Sequence, residues 1–179
     1  MLHITIPATE MFDDRKQEFV PCSEQKLQLE HSLVSISKWE SRWHKPFLGK
    51  EAKTRSETID YIRCMTVTQN VDPDVYDRLT NSNVEAINKY IDDPMTATTF
   101  NKTSQGPSRE IVTSELIYYW MITLNIPMEC QRWHLNRLLT LIRVCNVKQT
   151  APKKMSKRDI MSRNASLNAA RRKQLGSKG

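Results

Sequence analysis

Glycine is scarce in this chain, with four in 179 residues. That poverty excludes the glycine-rich cradles that close around nucleotide phosphates, and neither GxGxxG nor GxxxxGK[ST] occurs. HExxH, GxSxG and the protein-kinase signatures are absent as well. The four cysteines, Cys22, Cys64, Cys130 and Cys145, show no CxxC and no paired spacing, so they predict reduced thiols in a cytosolic protein rather than a disulfide frame. The histidines, His3, His31, His44 and His134, stand at no ligand spacing from one another or from cysteine, and no metal site is expected. The first residues, MLHITIPATEMF, have no basic stretch followed by a long apolar run, so no signal peptide is predicted. The longest apolar segment is broken at Asn125 and Pro127 after about a dozen residues, too short to cross a bilayer.

Charge is present but unevenly placed. The chain carries 27 Lys or Arg against 20 Asp or Glu, a net +7. Residues 148–179 hold ten of those bases and one acid, Asp159, which is +9; the preceding 147 residues hold 17 bases and 19 acids, which is −2. The predicted organisation is therefore a nearly neutral globular domain over 1–147 and a basic C-terminal helix or tail over 148–179. The bases of that tail include Lys153, Lys154, Lys157, Arg158, Arg163, Arg171, Arg172 and Lys173.

Periodicity predicts a mainly α fold of α+β type, with short N-terminal strands before five or six helices. Leu2, Ile4 and Ile6 alternate as in a half-buried strand that Pro7 stops. Met11-Phe12 and Phe19-Val20 flank a charged turn as in a hairpin, and Leu27 with Leu29 suggests a third strand. From Ser32 to His44 the period changes to three and four, with Trp39 and Trp43 on one helical face beside Lys38 and Arg42. Such tryptophans are read as half-buried packing, with stacking of single-stranded nucleic acid as the alternative. Ser56 is expected to cap a helix carrying Ile59, Tyr61, Ile62 and Met65. Asp72-Pro73 starts the next, and a cap among Thr80–Asn83 the one after, up to Asp93-Pro94. Residues 95–108 read as a long loop or an irregular edge strand.

The segment Glu110 to Lys148 is predicted to organise the core as a central helical hairpin. Thr113 caps its first helix, with Leu116, Ile117, Trp120, Met121 and Leu124 at helical spacing. Asn125 tolerates a left-handed stop, and Pro127 opens a second helix that buries Leu135, Leu138, Leu139, Ile142 and Cys145. Tyr118, Tyr119, Trp120 and Trp133 are amphipathic, and either pack this hairpin or leave it open to a partner. Ser156 and Asp159 form the short version of a capping box, predicting a last helix from Lys157. Two enzymatic readings find no support in the sequence. Asp13-Asp14 and Asp92-Asp93 sit in turns, and Cys130 with His134, four apart on one predicted helix, lack a third orienting group. Neither a catalytic residue nor a cofactor is expected.

The strings LQLEHSLVSISKWESRWHKPFL (Leu27 to Leu48), IDYIRCMT, DPMTATTF, the hairpin segment and NASLNAARRKQL together resemble a family of small proteins of tailed bacteriophages, the tail assembly chaperones of the siphovirus tail module. The resemblance runs from Leu2 to Gly176. It implies a non-enzymatic, helix-rich protein of the host cell cytoplasm that binds the tape measure protein during tail morphogenesis and associates with copies of itself. It assigns no role to any single residue. Eight methionines and an aromatic-rich hairpin suit such adaptable apolar contact. The basic tail is not something that an apolar chaperone requires. It keeps open two alternatives, a structural virion protein such as a head–tail connector or tail-terminator subunit, and a nucleic-acid-binding accessory protein.

Overall fold

A computed structural model describes residues 1–13, 17–100, 110–149 and 157–176. Four strands come first: β1 (Leu2–Ile6), β2 (Thr9–Asp13), β3 (Glu18–Cys22) and β4 (Gln25–Leu29). β1 pairs antiparallel with β4, Ile4 opposite Leu27, and β2 with β3, Phe12 opposite Phe19. The same register runs through both pairs, so they form one long two-stranded ribbon interrupted at residues 7–8 and 23–24. The strand predicted at Leu27 and Leu29 exists, but it completes the inner half of this ribbon instead of adding a third strand beside the hairpin. Arg78 braces the interruption, donating to the Ser23 carbonyl at 3.3 Å and the Pro7 carbonyl at 3.5 Å. Alternation does the rest. Ile4, Ile6, Leu27 and Leu29 are buried, whereas Phe12 and Phe19 on the outer half stand in solvent.

The helices follow as α1 (Leu33–Trp43), α2 (Arg55–Met65), a 3-10 helix (Pro73–Arg78), α3 (Asn81–Asp92), α4 (Ser114–Thr123), a second 3-10 helix (Met128–Arg132), α5 (Leu135–Gln149) and α6 (Lys157–Leu175). Their starts obey short-range chemistry. Ser32 caps α1 and Thr80 caps α3, each reciprocated by the third helical residue, Ser35 or Asn83. Asp72 accepts from the Asp74 amide ahead of Pro73. The cap of α2 is Thr54, not Ser56: its hydroxyl accepts from the Glu57 amide while the Glu57 carboxylate takes the Thr54 amide. Ser56 lies inside the helix, two residues past the only position where that reciprocal pair closes.

Thr113 caps α4 as expected, and Asn125 adopts the left-handed conformation, φ 52°. The second apolar helix differs from expectation at its start. Pro127 opens the 3-10 helix, with Cys130 N donating to Pro127 O at 3.0 Å, and the chain then extends at Trp133. There the Leu135 amide is taken by the His31 carbonyl at 2.7 Å, and His134 bridges Ser32, so helical hydrogen bonding resumes only at Leu135. Cys130 and His134 therefore do not share a helix. Glu129 and Arg132 lie in the 3-10 helix and not in α5.

The hub is α1, which packs against α2, α4 and the second 3-10 helix. Leu33, Ile36 and Trp39 are buried on it, meeting Ile117 and Met121 of α4 and Leu135, Leu138 and Ile142 of α5 in one cluster. The segment 110–148 thus contributes to the core, but α4 leans on α1 as its main neighbour. Residues 93–100 are neither helix nor strand, and 101–109 lie outside the described residues. The chain divides into two compact units, Met1–Asn146 and Val147–Gly179. In the second, α6 is described over Lys157–Leu175; its expected cap, Ser156, lies outside the described residues.

Candidate functional site

The sequence of α1 places one carboxylate on its apolar stripe. Glu40 follows Leu33 and Ile36 at helical spacing, and it is 7% exposed. Its two oxygens accept from the Phe47 amide and the Ser114 amide, both at 2.7 Å. One side chain so ties the loop after α1 and the first turn of α4 to the hub. Glu57, 3% exposed, closes its capping box and pairs with Lys45 at 2.8 Å. The Lys45 ammonium and the Thr54 amide hold its carboxyl below the ordinary range.

A second polar group lies between β4 and α5. His31, 2% exposed, shares a short hydrogen bond with the Tyr61 hydroxyl, and its ring is 5.0 Å from that of His134. His134 Nε2 meets the Tyr90 carbonyl at 2.9 Å, and the Tyr90 hydroxyl donates to Glu30 at 2.6 Å. Burial, with His134 beside it, pushes His31 down to about 4, so the imidazole is neutral at physiological pH. The Tyr61 and Tyr90 hydroxyls are pushed up, chiefly by burial. A cavity of about 260 Å³ opens beside Glu30, Tyr90 and His134, with Arg132, Trp133 and Arg137 among its walls. Cys130 does not line it: it is buried in the 3-10 helix and its thiol is pushed up by burial. The polar contacts of His31, Tyr61, Tyr90, His134 and Glu30 close within the protein, which suits a structural role in docking α5 onto β4 and α3.

The aromatic residues expected to bind a partner separate into two kinds. Trp39 is 2% exposed and donates its indole N–H to the Glu57 carbonyl at 2.8 Å, so it belongs to the core and is corrected as a surface residue. Trp43, half-buried, stacks on Trp39 at 6.2 Å and donates to Asp60 at 3.0 Å. Asp60 also takes Arg42 at 2.6 Å, which fixes that indole from outside. Tyr118 is half-buried with its hydroxyl on Gln131 at 2.9 Å, and Trp133, half-buried, lies under the Arg137 guanidinium at 4.2 Å. Neither Lys38 nor Arg42 faces a tryptophan ring; the cation over Trp39 is Lys53, at 5.7 Å.

What remains on the surface is the outer side of α4. Tyr119 is 61% exposed and Ile122, one turn on, 67%. Half-buried Leu116 and Trp120 border them, and Glu115 is the one charge of the helix. Ile111 and Met128, just outside the two ends of α4, are exposed too. The ribbon supplies a second apolar feature that sequence reading did not single out. Phe12 and Phe19 sit opposite each other with centroids 5.2 Å apart, edge to face, and both are largely in solvent. The signal for it was available, since two phenylalanines at matching distances from a charged turn must pair across a hairpin.

Of the basic tail, Lys157, Arg158, Arg163, Arg171, Arg172 and Lys173 are exposed on α6, whereas Lys153 and Lys154 lie outside the described residues. No set of three or more His, Cys, Asp or Glu side chains among the described residues is placed to hold a metal ion, and no described helix is long and apolar enough to cross a membrane. Comparison with known proteins gives no match to a family model, a curated protein or a solved structure.

Proposed function

We propose that this chain is a non-enzymatic assembly chaperone for a phage tail, acting in the host cytoplasm by covering apolar stretches of the tape measure protein before the tube forms around it. The observation that carries the reading is the solvent side of α4, where Tyr119 and Ile122 stand exposed one helical turn apart, bordered by half-buried Leu116 and Trp120. A tape measure chain is long and helical, and an apolar strip on a rigid helix matches the i, i+3, i+4 ridges of such a client. The cap at Thr113 and the Glu40 carboxylate on the Ser114 amide fix this helix, so little ordering is spent on binding. The family resemblance supplies the client; the exposed strip supplies the means. Self-association along the client is part of the same proposal, since one short helix covers only a small fraction of a long chain.

Co-expression tests it. The tape measure protein from the same tail module should stay soluble when this chain is present and precipitate when it is absent or carries Tyr119→Glu with Ile122→Glu. Equal solubility in all three cases would overturn the proposal. Stoichiometric copies of this chain in purified mature particles would favour the structural virion reading in its place.

A further inference from the structure

The chaperone reading makes no use of α6, and α6 has a layout of its own. Its 19 residues, Lys157–Leu175, are about 28 Å long, and none with a described side chain is buried. Six bases stand against one acid in this helix, a net +5. At 100° per residue, Lys157, Arg158, Asn164, Asn168, Arg171 and Arg172 fall within about 140° of the circumference. Along the axis the same residues sort by type. The bases sit in pairs at the two ends, Lys157-Arg158 and Arg171-Arg172, separated by about 20 Å. Two amides, Asn164 and Asn168, occupy the middle, one turn apart, with Met161 and Ala165 beside them; Met161 is 73% exposed.

We infer that this side of α6 docks in the major groove of duplex DNA, with its end pairs on the phosphates of the two walls and its central amides against base edges. The groove is about 12 Å wide and admits one α-helix, so a helix crossing it obliquely brings both ends over the backbones. Lysine and arginine are the side chains for phosphate, and asparagine pairs bidentately with adenine N6 and N7; an apolar neighbour such as Ala165 meets the thymine methyl. A solely electrostatic arm would need no such segregation, because charge anywhere on the helix would serve. Duplex RNA fits poorly, since its deep, narrow major groove does not admit side chains in this way. Helices in proteins draw most of their stability from packing, and no described side chain of α6 is buried, so contact with the polyanion should also raise its helicity.

The test uses the full chain and a fluorescent DNA duplex of about 20 base pairs containing A·T steps. Four phosphate contacts predict that the logarithm of affinity falls with the logarithm of salt at a slope of about −3.6, so that raising salt from about 50 to about 200 mM weakens binding about 150-fold. Arg171→Ala with Arg172→Ala should bring the slope to about −1.8, and Arg171→Lys with Arg172→Lys should keep the original slope. Asn164→Ala with Asn168→Ala should leave the slope alone and abolish preference for the A·T-containing duplex over one of G·C pairs only. Far-UV circular dichroism should show helix gained on adding duplex. The inference is overturned if no complex forms at about 50 mM salt, or if the slope ignores the arginine-to-alanine change. It is equally overturned if duplex RNA binds as tightly, or if poly-glutamate does, the latter pointing to an acidic protein partner. None of these outcomes bears on tape measure solubility, so the two proposals stand or fall separately.

Discussion

Acid should unfold this protein through one identifiable imidazole. His31 is sealed between Tyr61, Phe47 and His134, and burial lowers its pKa to about 4. In the unfolded chain the same ring titrates near its ordinary value, so between the two the unfolded state binds more protons. Stability from this group is complete above about pH 6.5 and drains away as pH falls toward about 4. The full difference is about 3 kcal/mol, most of it lost by about pH 4.5. With a urea slope of about 2 kcal/mol per molar, the midpoint should drop by about 1 M between about pH 7.5 and pH 4.5. Carboxylates held down in the fold, Glu57 and Glu115, add to the acid loss in the same direction. The comparison must therefore be made with His31→Gln, which cannot titrate. Its midpoint should start lower, because the Tyr61 contact is altered, but should fall with acid by about 1 M less than that of the wild type. Equal acid losses in the two proteins would refute the argument and place the sensitivity elsewhere.

Other changes follow from the same contacts. Glu40→Gln should destabilise by about 2–3 kcal/mol in urea unfolding, since an amide supplies one acceptor oxygen where two buried amide donors, from Phe47 and Ser114, need one each. Trp39→Ala should cost about 3–5 kcal/mol and lower the thermal midpoint sharply, whereas Tyr119→Ala should stay within about 0.5 kcal/mol, because only the first fills the core. Phe12→Ser with Phe19→Ser should also leave the urea midpoint nearly unchanged while reducing binding of a fluorescent apolar dye, and a collapse of stability would show that the pair is packed rather than presented.

Much of the fold could be read from short-range chemistry. Ser32, Asp72, Thr80 and Thr113 cap the elements that their neighbours announced, and the alternation at Leu2, Ile4 and Ile6 gave its strand. The errors came where a distant partner decides. Pro127 looks like a helix start, and only the His31 carbonyl, about a hundred residues away in sequence, holds the Leu135 amide out of a continuous helix. Trp39 and Tyr119 are both large aromatics on apolar helices, and spacing within each helix does not tell which side its neighbour will cover. Glu40 was legible in principle: a carboxylate at the centre of an apolar stripe must meet donors or remain unburied. The polar contacts of His31 carry no local signal, because the residue precedes its helix and its partners come from α2 and the start of α5.

Contact itself is what the proposed function stands on, so a photo-cross-linking residue placed at Ile122 tests it most directly. Irradiated during co-expression, it should yield a covalent adduct with the tape measure protein, while the same residue at Glu85, exposed on α3, yields little. No adduct from Ile122, or equal adducts from both positions, would contradict the claim that the outer side of α4 is where this protein holds another.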